Sequence, residues 1–292
     1  GGRLFTEKDG QRRYFMEEKF GPKGNLMPRD VVSREEYQVI RNWGTPIYLD
    51  TTVIPKELFR TTLTGFVDDC REYFHVDPET TPIPVLYGIH YFMGGVYVDP
   101  HHRTNLRGLY SAGENACQYH GANRLGGNSL LGAFFGGLVV AESIIADGGE
   151  EKAENLQIED IDITPFLAPY LKKESRPGAH AETVTEFQKI MQQTLAISRD
   201  EETLTAGLAE LEALEKCWHK VYDPFAAFDE NILLEHRFIL AKAMILAARE
   251  RKESRGAHNR SDYPERNEAY EKTHLYEFTD GQIRLSWKKE NE

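Results

Sequence analysis

Apolar residues recur at helical spacing in several long segments of the chain, and these segments predict its main helices. Residues 29–43 and 55–73 carry this pattern in the first part of the chain. Three later segments carry it at residues 182–195, 201–222 and 231–252. Such spacing is far more often core packing than a cofactor site, so the late segments predict a helical bundle without chemistry of its own.

Short β-prone runs predict the strands. The dipeptides Asp9-Gly10 and Asp280-Gly281 are strong hairpin signals, and the arms of the second hairpin are expected at residues 274–279 and 282–287. Single strands are expected at residues 47–53, 84–89, 96–99 and 106–112. Between strands and bundle, residues 147–169 are acidic and loop-like, which indicates a domain boundary.

A glycine-rich loop precedes the most apolar segment, residues 130–145. The loop reads HGANRLGGNS over residues 120–129 and ends in Asn and Ser, which favour helix N-caps. We expect a helix N-terminus there, whose free N–H groups suit a phosphate, a carboxylate or an electron-rich ring. Glycines 132, 136 and 137 each cost the helix about 1 kcal/mol against alanine, so something must approach this face closely. A buried helix behind an ordinary loop is the alternative, and the loop alone does not decide.

Length and charge narrow the class of protein. A chain of 292 residues has room for about two domains. The net charge of −12 argues against a nucleic-acid-binding surface. Three cysteines without a CxxC pair indicate neither a disulfide framework nor a metal site. A reducing, cytoplasmic setting is therefore expected. Residues 130–145 include Glu142 and are shorter than a membrane span, so we expect no transmembrane segment.

Four motifs follow one another over residues 90–130. They are HYFMGG at residues 90–95, TNLRGLYSAGE at 104–114, HGANR at 120–124 and NSL at 128–130. In this order they resemble the closing half of the flavoprotein subunit of the succinate dehydrogenase and fumarate reductase family, with L-aspartate oxidase as a relative. LMPRDVVSR near the start and SRGAHNRSDYP near the end extend the resemblance over almost the whole chain.

The resemblance implies an α/β plus α fold class. Residues 1–85 would be the end of a capping α+β domain, and residues 86–148 the closing part of a Rossmann-like FAD-binding domain. Residues 149–254 would form the three-helix bundle, and residues 255–292 a small β-containing tail with the hairpin.

The resemblance also implies the activity, which is interconversion of succinate and fumarate by hydride transfer at FAD. Arg124 would anchor the dicarboxylate, because a guanidinium matches a carboxylate with two parallel hydrogen bonds. His90 and Gly121 would complete the substrate site. His101 and His102 are expected to be solvated in a polar turn instead.

Arg29 stands where the family has the acid that protonates the substrate carbon. A free guanidinium has a pKa above ~12, so the group must lie among other charges that lend and recover the proton. We expect Arg12, Arg13 and Arg34 to supply positive charge and Asp30 to orient Arg29. The acidic relay partner that the resemblance implies is expected upstream of Gly1.

For the cofactor, the resemblance implies Glu114 as the carboxylate on the ribose and Asn128, Ser129 and Leu130 at the pyrimidine edge of the flavin. No GxGxxG motif occurs in the sequence, so the cradle for the ADP phosphates is expected on an N-terminal FAD-binding portion. That portion and an iron–sulfur subunit are the expected partners, and such subunits could hold the protein at the inner face of the membrane. Two alternatives stay open: a non-catalytic portion that folds and docks without FAD, and an amino-acid oxidase like L-aspartate oxidase.

Overall fold

The computed structural model describes residues 1–148 and 162–289. Its backbone divides into two compact units. The first comprises Gly1–Met93 with Asn123–Ser129, and the second comprises Gly94–Ala122 with the described residues from Leu130 onward. The loop that carries the HGANR motif is therefore shared between the two units.

An antiparallel sheet of four strands, in the order β2-β1-β3-β4, forms the base of the first unit. The strands are β1 Arg3–Lys8, β2 Gln11–Arg13, β3 Ile47–Asp50 and β4 Ile83–Val85. The chain turns from β1 into β2 through Asp9 and Gly10, both at positive φ, which confirms the predicted hairpin. The strand expected at residues 47–53 is confirmed over β3, whereas that at 84–89 is limited to β4.

Four helices accompany this sheet, at α1 Phe15–Phe20, α2 Arg29–Trp43, α3 Lys56–Thr61 and α4 Thr64–Tyr73. The bounds of α2 confirm the prediction, whereas the single helix expected at residues 55–73 is two helices. The break falls in a run of threonines, and β-branched residues lose side-chain freedom in a helix interior. The core of the unit is apolar and is built from Leu4, Phe15, Met16, Val39 and Ile47.

The helices of the second unit include three that share one hydrophobic core. They are α7 Ala179–Thr194, α8 Glu201–Trp218 and α9 Phe228–Glu250, which confirm the three predicted late helices. Before them lie α5 Asn128–Ala146, whose first two residues belong to the first unit, and α6 Thr164–Leu171. The predicted C-terminal hairpin is confirmed as β7 Thr273–Thr279 and β8 Gln282–Lys288, and β5 Glu174–Ser175 pairs in parallel with β6 Val221–Tyr222.

Three sequence expectations for this unit are wrong. No strand forms at residues 96–99 or 106–112, where the described backbone makes only isolated bridges, such as Arg103 to Tyr110. The second run instead folds back on itself, since Thr104 N–H donates to Leu109 O and Gly108 takes a positive φ. Helix α6 lies where a loop was expected, and the part of that expected loop at residues 149–161 falls outside the described residues.

Helix α5 presents Gly132 and Gly136 to a cluster of rings that includes Tyr119 and His102. A Cβ at Gly136 would stand 2.0 Å from Tyr119 Oη, which confirms the predicted close approach, whereas Gly137 faces open space. His102 is buried rather than solvated, since its Nδ1 lies 2.7 Å from Ser111 O and its Nε2 lies 3.1 Å from Tyr119 Oη. At the far end of α5, Arg103 and Tyr110 donate to Asp147 and lower the pKa of that carboxyl to about 2.

Most of the surface of α5 is exposed. Leu131, Phe134 and Leu138 are each more than half exposed, and the buried positions are the small residues Gly132, Gly136 and Ser143. Among the described residues, α5 is the helix whose length and apolar composition would let it cross a membrane. Length and composition alone are weak evidence for a membrane span.

Candidate active site

Arg124 is a buried cation in the loop before α5. The residue is 8% exposed, and its Cζ lies 4.7 Å from the centre of the Tyr91 ring. Nη1 donates to Leu125 O over 3.2 Å, whereas Nε is buried without a hydrogen-bond partner. Within the described part of the chain no carboxylate forms an ion pair with it. Since an uncompensated buried charge is costly, this guanidinium is suited to an anionic ligand.

Asn123, the residue before Arg124, ties this loop to the first turn of α2. Its Nδ2 donates to Asp30 Oδ1 over 3.0 Å. The other carboxylate oxygen of Asp30 accepts from Arg34 Nη2 over 3.1 Å. Asp30 therefore differs from the expectation that it orients Arg29, because its two oxygens bind Asn123 and Arg34. The contact joins positions 93 residues apart in sequence.

Arg29 begins α2 and its side chain is exposed. It makes no side-chain hydrogen bond or ion pair with the residues that the structure describes. The arginines expected to supply positive charge beside it have partners of their own. Arg12 pairs with Asp50 over 3.4 Å and Arg13 pairs with Glu18 over 2.7 Å, so their charges are compensated where they stand.

His90 is exposed in the irregular segment between β4 and the second unit. The next residue along the chain is Tyr91, whose ring lies beside the Arg124 guanidinium. Gly121 has a φ of 56° and open space where a side chain would stand. A left-handed backbone favours glycine, so the residue lets the loop turn between His120 and Ala122.

The residues expected at the cofactor are held by two different backbone features. Glu114 is exposed in a 3₁₀ turn, Gly113–Asn115, and the strand expected just before it at residues 106–112 does not form. Asn128, Ser129 and Leu130 form the first turn of α5, where helical N–H groups lack partners within the helix.

The two glycines before this helix have open space beside them. Gly126 and Gly127 each have no atom within 4 Å of the position of a Cβ. Asn128 N–H donates to Leu125 O over 3.2 Å, so the amides of Ser129 and Leu130 are the ones that suit a ligand, and the helix dipole there favours negative charge. The chemistry of these amides suits the electron-rich edge of a flavin ring, whereas the sequence has no glycine-rich loop for the ADP phosphates.

Two features of the site were missed by sequence reasoning. Tyr91 as the neighbour of Arg124 and Asp30 as the acceptor for Asn123 are both long-range contacts. Tyr91 stands within the HYFMGG motif, so its position beside His90 was the available signal.

Comparison with known proteins places these features in one class. Residues 1–130 match the FAD binding domain family, and residues 184–291 match the fumarate reductase flavoprotein C-terminal family. Together the two matches place the chain among flavoproteins related to fumarate reductase.

Individual relatives specify the family. The succinate dehydrogenase flavoprotein subunit of Bacillus subtilis is 33% identical over 92% of this chain and 49% of the relative. The L-aspartate oxidase of Rhodospirillum rubrum is 33% identical over 88% of this chain and 84% of the relative. A solved quinol-fumarate reductase with menaquinol matches at a TM-score of 0.84 and 27% identity, over 99% of this chain and 55% of that one.

The chain belongs to the family of succinate dehydrogenase and fumarate reductase flavoproteins, which includes L-aspartate oxidases and has FAD as its cofactor. It spans about half the length of the succinate dehydrogenase and fumarate reductase flavoprotein subunits that it matches.

Proposed function

We propose that this chain supplies the substrate-binding residues of an FAD-dependent oxidoreductase that interconverts succinate and fumarate. The observation that carries the proposal is the buried guanidinium of Arg124, which has no carboxylate partner among the described residues. A dicarboxylate would supply the missing negative charge. Arg124 binds one carboxylate, and His90 and Gly121 contribute to the rest of the substrate site.

The reaction needs a hydride on one alkene carbon and a proton on the other. Bound FAD would take up the hydride in its oxidised form and supply it in its reduced form. Arg29 gives the proton to fumarate or removes it from succinate, so that each turnover transfers one hydride and one proton. The exposure of Arg29 at the start of α2 is consistent with this role, because the group is not committed to a structural ion pair within the described residues.

The cofactor residues act by binding and charge. Glu114 accepts from hydroxyl groups on the ribose side of FAD. The backbone N–H groups of Ser129 and Leu130 donate to the pyrimidine edge and stabilise negative charge there, next to Asn128, whose own N–H donates to Leu125 O over 3.2 Å. The proposed domains are those that the resemblance implies. Residues 1–85 are the end of the capping domain and residues 86–148 the end of the FAD-binding domain, and the bundle at 149–254 and the tail at 255–292 follow.

An N-terminal FAD-binding portion is the proposed partner that completes the protein. The support lies in α5, where Leu131, Phe134 and Leu138 are exposed together with Phe135 and Ile145. Exposed apolar patches of this kind mark interaction surfaces, and the matched succinate dehydrogenase and fumarate reductase subunits are about twice as long as this chain. An iron–sulfur subunit is a further proposed partner, and a cytoplasmic location at the inner membrane face would follow from such subunits.

Oxidation of L-aspartate is the second candidate function, because this chain covers 84% of the Rhodospirillum rubrum L-aspartate oxidase. The flavin-loaded protein that contains this chain should be assayed with fumarate plus a reduced dye and with L-aspartate plus oxygen. We expect fumarate reduction, with a larger loss of kcat/KM in Arg124→Ala than in His90→Ala, since a charged two-point contact exceeds a single hydrogen bond. Peroxide formation from L-aspartate without fumarate turnover would favour the oxidase instead.

A further inference from the structure

The SRGAHNRSDYP motif near the C-terminus folds into a tight turn. Arg255 N–H donates to His258 O over 2.7 Å, and His258 N–H donates to Arg255 O over 3.0 Å. Gly256 has a φ of 56°, whereas the following Ala257 is outside the left-handed region. A positive φ at the first central position alone is typical of a type II′ turn. Ala257, the second central residue of this turn, is exposed.

A buried carboxylate holds the base of this turn. Glu253 is fully buried and accepts from Arg251 over 2.8 Å and from Arg255 over 2.9 Å. It also accepts from the backbone N–H of Asn267 over 2.9 Å. Hydrogen bonds to a charged acceptor are stronger than those between neutral groups, so the base of the turn is rigid.

A buried guanidinium fixes the other side of the turn to the end of α9. Arg260 is fully buried, and its Nη1 donates to Ala248 O over 2.9 Å and to Arg249 O over 3.0 Å. These are among the last carbonyls of α9, which lack partners within the helix. The turn is thereby attached to the end of α9.

The tip of the turn reaches the loop that carries the substrate anchor. Ala257 N–H donates to Ala122 O over 2.9 Å. Ala122 follows Gly121 and directly precedes Asn123 and Arg124. We propose that Ala257 is a positioning residue, whose backbone N–H fixes the loop at residues 120–124 so that dicarboxylate binds to Arg124. The proposal rests on the proposed function for the ligand, but the contact itself does not depend on it.

The test replaces Ala257 by proline, which removes the N–H and has a φ compatible with this turn position. Ala257→Ser keeps the N–H and is the matched control. We expect Ala257→Pro to raise KM for fumarate and Kd for succinate roughly three- to ten-fold, from the loss of one hydrogen bond, with little change in kcat. Ala257→Ser should keep wild-type values. A merely structural role would lower Tm and leave KM of the folded enzyme unchanged.

Amide hydrogen exchange on the chain itself separates this proposal from the proposed function. We expect the amides at residues 120–124 to exchange faster in Ala257→Pro than in the wild type and in Ala257→Ser. Unchanged exchange in that loop would overturn the proposal, as would unchanged KM and Kd in an active enzyme. Faster exchange in a protein that does not act on dicarboxylates would support the positioning role and reject the proposed function.

Discussion

Asn123 donates to Asp30 over 3.0 Å, and this bond joins the neighbour of the proposed substrate anchor to the neighbour of the proposed proton donor. Arg124 follows Asn123 along the chain, and Arg29 precedes Asp30. One side-chain hydrogen bond therefore connects the residue before Arg124 with the residue after Arg29. The loop before α5 and the start of α2, which are far apart in sequence, are thus connected directly.

Removing this bond should weaken substrate binding more than it weakens the fold. In Asn123→Ala, Asp30 keeps its bond to Arg34, so the carboxylate retains a partner. We expect the Kd for succinate to rise about ten-fold, since hydrogen bonds to charged groups contribute roughly 1.5–3 kcal/mol. Titration of the flavin spectrum measures it, with Asn42→Ala on the exposed side of α2 as the control. Equal Kd values in the two variants would contradict the expectation.

The buried charge of Arg124 should lower the stability of the ligand-free protein. Its Nε is buried without a partner, and removal of an uncompensated buried charge is stabilising. We expect Arg124→Met, which keeps much of the volume, to raise the free energy of unfolding by about 1–3 kcal/mol while it abolishes dicarboxylate binding. Thermal melts with and without succinate measure both effects. A lower Tm in the ligand-free variant would mean that Arg124 has a structural partner.

Gly136 and Gly137 offer a matched pair on α5. A Cβ at Gly136 would clash with Tyr119 Oη at 2.0 Å, whereas Gly137 has open space. We expect Gly136→Ala to destabilise the protein by about 1–3 kcal/mol. Gly137→Ala should stabilise it by up to about 1 kcal/mol, because alanine is the better helix former. Urea unfolding compares the two, and Tyr119→Phe should relieve part of the Gly136→Ala cost.

The sequence predicted those parts of the fold that depend on neighbouring residues. The bounds of α2, the two hairpins and the three late helices follow from local spacing and turn residues. The strand expected at residues 106–112 does not form, because its apolar residues favour a strand only if a partner strand lies beside them. In the structure Thr104 bonds back to Leu109 instead.

The sequence predicted which residues belong to the candidate site but not which contacts they make. HGANR and HYFMGG indicated Arg124 and His90, but the burial of Arg124 and its contact with Tyr91 depend on the packing of distant segments. Asp30 was expected to orient its sequence neighbour Arg29. It binds Asn123 instead, and no local pattern connects positions 93 residues apart.

His258 should make the protein sensitive to mild acid. Burial, with Arg199, Arg251 and Arg260 nearby, lowers the pKa of His258 from 6.5 to about 4. Between these values the unfolded chain binds more protons than the folded one, so stability is full above pH 6.5 and falls as the pH drops to about 4. The full loss is at most about 3 kcal/mol. The imidazole is neutral at pH 7, and its Nε2 donates to Arg251 O over 2.9 Å.

A His258→Gln variant isolates this contribution. Its free energy of unfolding will be lower than that of the wild type at pH 7, because the contacts of the imidazole are only partly replaced. We expect the difference to narrow by about 1–2 kcal/mol at pH 5, since glutamine does not titrate. Urea unfolding at both pH values measures it. A constant difference would show that His258 is not the titrating group.

Arg29→Lys separates proton transfer from substrate binding. Lysine keeps the positive charge at the start of α2 but lacks the planar fork of the guanidinium. If Arg29 transfers the proton, kcat for fumarate reduction should fall 10²- to 10⁴-fold, or roughly 3–5 kcal/mol in the barrier. Binding should change by less than about 1 kcal/mol, because Arg124 still holds a carboxylate. A variant that keeps a tenth of wild-type kcat, or one that no longer binds succinate, would show that Arg29 is an anchor and not the donor.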